Sequence, residues 1–321
     1  MKNVSIVVLC IMVFLSVPLA GEELIRNYTV SMSPLFGLFY GQAGEILYDN
    51  SGQNKQLSRL DWDMEPLFYM GGRLALSPSR PLELWGLFFR LDMKFGVPGK
   101  TGTMEDRDWL ALNHGNITNF SSHDNYTQKM IDLGLRGGAS FPLLEKAALK
   151  IYGELLYTRF SFSARNGTGQ YARKISEGIY EPSLSIHTSF AGDVINYIQS
   201  WFVFSPGLSL FYPFHRFFSA ELDFAISPFA FSAAEDQHLK TSIESRDYMS
   251  WGLFLEPGAS LYFTPLEKFF FSLDFSYRFI TGVKGKSFEG ILGTGNYVRT
   301  QNKAGAGLSR FDVSIGAGVR L

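Results

Sequence analysis

Two short acidic motifs carry the chemistry this sequence can offer. Asp106 and Asp108 stand two residues apart in Gly102-Thr-Met-Glu-Asp-Arg-Asp-Trp109, and on an extended chain such residues project from one face. Carboxylates held side by side cannot both ionise freely, so the pair can hold and polarise a water. Asp236 and His238 repeat the spacing in Glu235-Asp-Gln-His238, and an imidazole beside a carboxylate can serve as a general base. Either motif alone is ordinary in a polar loop. Their meaning depends on whether the fold brings them together.

The elements that would do so are written in a period of two. Phe269, Phe271, Leu273, Phe275, Tyr277 and Phe279 alternate with Phe270, Ser272, Asp274, Ser276 and Arg278. Trp85, Leu87, Phe89, Leu91, Met93 and Phe95 likewise alternate with Gly86, Phe88, Arg90, Asp92 and Lys94. Hydrophobic residues make up 46% of the chain and aromatics 16%, yet mean hydropathy is only +0.02, so apolar residues are interleaved with polar ones throughout. Charges opposite an aromatic band suit strands with lipid on one side and a polar lumen on the other. A helical membrane protein would need long apolar runs, and none follows the N-terminus.

Ten such stretches are expected, near 28–42, 56–73, 82–96, 127–141, 147–164, 197–213, 216–233, 246–264, 267–283 and 306–321. Tight, proline-marked turns at 77–81, 142–146, 213–216 and 264–268 alternate with long polar segments near 43–55, 97–126, 165–196, 234–245 and 284–305. The expected fold is all-β: a ten-stranded antiparallel transmembrane β-barrel with long extracellular loops. Residues 1–20 read as a signal peptide with Lys2, an apolar core from Val4 to Leu15, and Ala20 at the cleavage point. Residues 21–321 then form a single barrel domain. The one cysteine, Cys10, lies in that leader, which excludes disulfides and thiolate chemistry in the exported chain. A net charge of -1 gives no general affinity for nucleic acid.

Parity along the strands bears on the two motifs. The inward set Arg90, Asp92 and Lys94, continued by even numbers, reaches Asp106 and Asp108. In the seventh strand Phe218, Leu222, Phe224 and Ile226 point outward, which would turn Asp236 and His238 outward too. The apolar face then switches to Phe229 and Phe231 across Ser227-Pro228. A bulge at Pro228 would account for the switch, because proline leaves a ladder position unpaired. Both motifs then face one lumen. In the first strand the same test turns Glu45 inward at that mouth.

Several stretches together resemble the omptins, outer-membrane endopeptidases of ten-stranded barrel fold. They are Gly44-Glu-Ile-Leu-Tyr48, Leu60-Asp-Trp62, Gly102 to Trp109, Ser121-Ser-His123, Arg159-Phe-Ser-Phe-Ser-Ala-Arg165 and Asp236-Gln-His238, in order along nearly the whole exported chain. The resemblance implies an aspartic-type protease that acts without metal or organic cofactor at the outer face of the outer membrane. Asp106 and Asp108 would be its aspartate couple and Asp236 and His238 its dyad, with an activated water between them. Glu45 and Met104 would bind substrate, and Ser121 and His123 would support the site. The implied partners are peptides or proteins with basic residues.

The chain departs from the family pattern in places. Ala234 stands where the family has a second pocket acid, and Asn119 replaces an acid of the following subsite, so a dibasic preference does not follow. Of the lipid contacts Arg159 is matched, while Leu155 and Tyr157 replace a tyrosine and an acid. Lipid contact is implied, and dependence on lipopolysaccharide stays open. The competing reading is a non-enzymatic barrel, an adhesin or small porin, which accounts for the strands but not for the acidic motifs.

Overall fold

A computed structural model describes residues 27–50, 54–83, 85–143 and 146–321; the expected signal peptide lies outside them. The described residues form thirteen strands and no helix: β1 (Tyr28–Tyr48), β2 (Gln56–Pro78), β3 (Gly86–Gly96), β4 (Gly99–Asp108), β5 (Asn119–Leu143), β6 (Ala147–Tyr171), β7 (Lys174–Ser176), β8 (Ile179–Tyr180), β9 (Ile186–His215), β10 (Phe218–His238), β11 (Ile243–Leu266), β12 (Phe269–Ile291) and β13 (Tyr297–Arg320). β1 pairs antiparallel with both β2 and β13. β3 and β4 are successive halves of one ring position, each lying between β2 and β5. The ladder therefore runs round a ring of about ten strands, while β7 and β8 pair only with each other.

The strands overrun the expected boundaries at one end. Most of the segments expected as long loops continue the ladder: β1 runs on to Tyr48, β9 spans 30 residues, and β4 lies wholly within the segment 97–126. Above the lipid both faces of a strand meet water, so the alternation that marks a strand in sequence fades. The backbone hydrogen bonding continues without it. At the other end the connections are short, as expected.

Exposed apolar side chains such as Phe36, Phe68, Leu87, Ile151, Phe204, Phe224, Phe263, Phe271 and Ile315 encircle the barrel, and this continuous band ends near Tyr40, Phe231 and Trp251. At its level the lumen is filled by ion pairs. Arg73 bonds Asp92 at 2.7 Å and Asp274 at 3.0 Å, Arg136 bonds Glu154 at 2.6 Å and Asp223 at 3.1 Å, and Arg278 bonds Asp132 at 2.9 Å. Arg310, almost wholly buried, also pairs with Asp132. Buried charges need such partners, since an unpaired one would cost several kcal/mol on the order of a broken ion pair.

Near the top of the band the strands change parity. The inward set passes from Met64 to Leu67 in β2, from Thr127 to Met130 in β5, from Ser227 to Ala230 in β10, and from Ile280 to Val283 in β12. Each step coincides with a register shift. In β11 the step from Met249 to Gly252 contains Trp251, whose φ of 65° marks the kink. These bulges form a belt between a membrane-level barrel and an extension above it.

Candidate active site

The aspartate couple stands on β4, above the belt. Asp106 pairs across the ladder with Leu60 of β2 and Ser121 of β5, and Asp108 with Ser58 and Asn119. The even-number continuation from Lys94 does end inside, but by a route the sequence hides. Thr101 is buried and Gly102 carries a shift, after which Met104 is buried. One change of parity at the 97–98 break is cancelled by a second at Gly102. Gly102 has a φ of +116°, and a Cβ there would lie 2.6 Å from Asp63 Cβ. Glycine is what this kink requires. Asp63 fixes the next residue by accepting from Thr103 N at 3.1 Å and Thr103 Oγ1 at 2.7 Å.

The dyad residues stand on β10, across the barrel. The register shift spans Ser227 to Ala230, so the bulge lies at Pro228-Phe229 and the residues beyond it invert. Ser232, Ala234 and Asp236 are buried. His238 Nε2 donates to Asp236 Oδ2 at 2.6 Å, with the imidazole 35% and the carboxylate 5% exposed. The ring is therefore open to the cleft while its partner is set behind it.

Electrostatics link the two sides. Asp236 raises the imidazolium pKa of His238 to about 9 against the opposing effect of burial, and Asp106 and Asp108 add to the rise. Burial first, and then repulsion from Asp108, push Asp106 up to about 8, while His238 pulls it back. Groups that shift one another in this way face the same space. Asn119 Nδ2 donates to Asp108 Oδ2 at 2.8 Å and orients the second carboxylate.

Glu45 is held on the same cleft, and its carboxyl is raised well above the usual range by burial, then by Asp236, Asp247 and Asp106. Gln199 positions this segment, donating to the Gly44 carbonyl and to the Tyr197 hydroxyl at 3.0 Å each, while Trp201 Nε1 donates to Gln199 at 2.8 Å. Below lies an apolar floor in which Trp62 stacks between Phe162 and Tyr197, with ring centroids 5.6 and 5.2 Å away. Met104 is fully buried.

Ser121 and His123 are brought together, both buried. His123 Nδ1 donates to the Asn166 carbonyl, so Nε2 accepts from Ser121 Oγ at 2.9 Å. Burial lowers the His123 pKa and favours the neutral ring. Arg159 lies on β6, far from these groups in the ladder, and its partner positions are Ile131 and Ser200.

The sequence reading missed Asp247. On an even-numbered inward set running from Glu256 through Phe254 and Gly252, Asp247 would point outward. The kink at Trp251 turns it in, where it is buried and its carboxyl is raised to about 7 by burial, against a hydrogen bond with Ser287 and with a further push from Asp236. Only the aromatic cluster Tyr248-Met-Ser-Trp251 hints at that kink. Gln199 was likewise missed, because an isolated glutamine in a strand carries no signal.

A barrel held in lipid by an aromatic band, closed inside by ion pairs and bearing an acid-and-imidazole cleft at its outer end, is a membrane-anchored surface protein with hydrolase-type groups. The omptin family model matches residues 26–321, and the chain belongs to the omptin family, whose members are outer-membrane proteases. The plasminogen activator of Yersinia pestis is 26% identical over 333 residues, covering 100% of this chain and 99% of that one. The crystal structure of the outer membrane protease OmpT from Escherichia coli superposes with a TM-score of 0.81 at 17% identity, over 91% of this chain and 97% of that one. The chain is thus an outer-membrane β-barrel with its cleft on the exterior side.

Proposed function

We propose that the protein is an endopeptidase that hydrolyses peptide bonds near basic residues with a water activated between Asp236–His238 and Asp106–Asp108. The observation that carries this reading is the hydrogen-bonded pair of His238 and buried Asp236 on β10, above the same belt of bulges as Asp106 and Asp108 on β4, with Asp106 and His238 close enough to influence each other. With Nε2 engaged by Asp236, the remaining ring nitrogen, Nδ1, takes the proton of a water that attacks the scissile carbonyl carbon. Asp236 stabilises the imidazolium that results. Asp106 in its protonated form donates to the carbonyl oxygen as charge develops there, with Asp108 beside it. Collapse breaks the carbon–nitrogen bond, and the imidazolium returns its proton to the departing amine. No acyl-enzyme forms.

Glu45 presents a buried carboxyl group that ionises as a basic side chain of the substrate pairs with it. The plasminogen activator relative supports protein substrates, since its name describes action on a protein. Ser121 supports β5 beside Asp106; its hydroxyl is buried and committed to His123. A pore is disfavoured by the ion pairs that cross the lumen. The test is cleavage of quenched peptides with an Arg-Arg or Lys-Lys centre by refolded protein in lipid. The expected result is hydrolysis, and absence of cleavage across a set of basic peptides would end the enzyme reading.

A further inference from the structure

Asp247 faces Ala234 directly across the β10–β11 ladder and Ser287 across the β11–β12 ladder. Residues opposite one another in an antiparallel pair share a face, with Cβ atoms about 5 Å apart. Asp247 therefore brings an acid from the next strand to the patch of wall that Ala234 lines. Asp247 is 4% exposed, and its Oδ1 is buried without a hydrogen-bond partner. Glu45 Oε2 is in the same condition. Asp247 adds to the upward shift of the Glu45 carboxyl, and both acids act on the Tyr197 phenol. Arg246 bonds Glu244 and lies over the Tyr297 ring, and Lys284 lies over the Tyr48 ring. Buried carboxyl oxygens with no donor are costly unless something supplies one. A guanidinium or ammonium group does so with charge-assisted hydrogen bonds.

We propose that Asp247 is a specificity-determining residue that joins Glu45 in a two-carboxylate seat, beside Asp236 and His238, for the cationic end of a substrate arginine or lysine. The proposal rests on the endopeptidase reading above and adds to it the residue that completes the pocket.

The experiment compares two quenched peptides that differ only in arginine or its neutral isostere citrulline at the residue before the cut. The full chain is refolded in lipid, and its fold is checked by circular dichroism and heat-modifiable gel mobility. Wild type is expected to prefer arginine. Asp247→Asn should lower kcat/KM for the arginine peptide by roughly 30-fold or more, mostly through KM, and leave the citrulline peptide within about threefold. Asp247→Glu should keep the preference. An arginine-to-citrulline ratio unchanged in Asp247→Asn, or equal losses on both peptides, would overturn the assignment of Asp247 while leaving the protease reading intact. No cleavage by wild type would overturn both.

Discussion

Asp236 Oδ2 lies 2.6 Å from His238 Nε2, and the two side chains differ sharply in exposure, the carboxylate being set behind the ring. A buried carboxylate fixes both the orientation and the tautomer of an imidazole, and leaves one nitrogen directed at the cleft. In the proposed reaction the two are the base and its orienting group, so the first consequences concern activity.

Replacing His238 by Ala or Asp106 by Asn is expected to lower kcat/KM by about 10³-fold or more while the barrel folds normally, because the base or the acid partner is lost. Ser121→Ala should cost about tenfold or less, the loss of a supporting hydrogen bond. Steady-state assays with one basic peptide make the comparison. A Ser121 variant as inactive as the His238 variant would favour a serine nucleophile instead.

The pH profile should lie on the alkaline side. His238 must be neutral to accept a proton, and its pKa is raised to about 9, chiefly by Asp236. The base-competent fraction therefore grows as pH rises toward 9, while the protonated Asp106 required by the proposed reaction is lost above about 8, so kcat/KM should climb from neutral pH to a maximum between the two values and fall beyond it. Asp108 raises both His238 and Asp106, so Asp108→Asn should move the acidic limb to lower pH. A limb that stays in place would show that Asp108 does not act on the titrating group.

Gly102→Ala should reduce activity without unfolding the barrel. The added Cβ meets Asp63, and the backbone angle there is one L-residues avoid. Relief of the clash moves β4, and a displacement of about 1 Å at Asp106 can cost about 100-fold in rate. The measurement is kcat beside the far-ultraviolet spectrum. Wild-type kcat would mean that β4 absorbs the change below Met104.

Deletion of Pro228 removes the extra residue that inverts β10. The folded variant is expected to be inactive, with Asp236 and His238 turned to the outer face. Peptide hydrolysis, measured beside the heat-modifiable gel mobility that reports a folded barrel, makes the comparison. Equal activity with and without Pro228 would show that the bulge does not set the facing of the site.

What was legible in the sequence was what lipid imposes. Strands such as Phe269–Ile291 carry aromatics on alternate positions because one face meets hydrocarbon, and the ring of about ten followed from counting them. The upper halves of β1, β9 and β13 look like loops in sequence because water on both sides removes that pattern. The bulge at Pro228 was legible, since proline and a shifted aromatic face mark it together. The kinks at Gly102 and Trp251 were not. The first is masked by a compensating shift at 97–98, and the second turns Asp247 inward against the parity of the strand below it.

The belt of bulges has a meaning for how such a chain changes over time. Below it, lipid dictates which positions are apolar, and a one-residue insertion would turn a whole face inside out. Above it, every residue's address is set by the last bulge, much as a codon's meaning follows the nearest frame. A single insertion or deletion at the belt re-addresses a limited set of side chains and leaves the anchored half untouched. Asp247 has such an address: it stands opposite Ala234 on an adjoining strand, turned inward by that strand's own kink at Trp251.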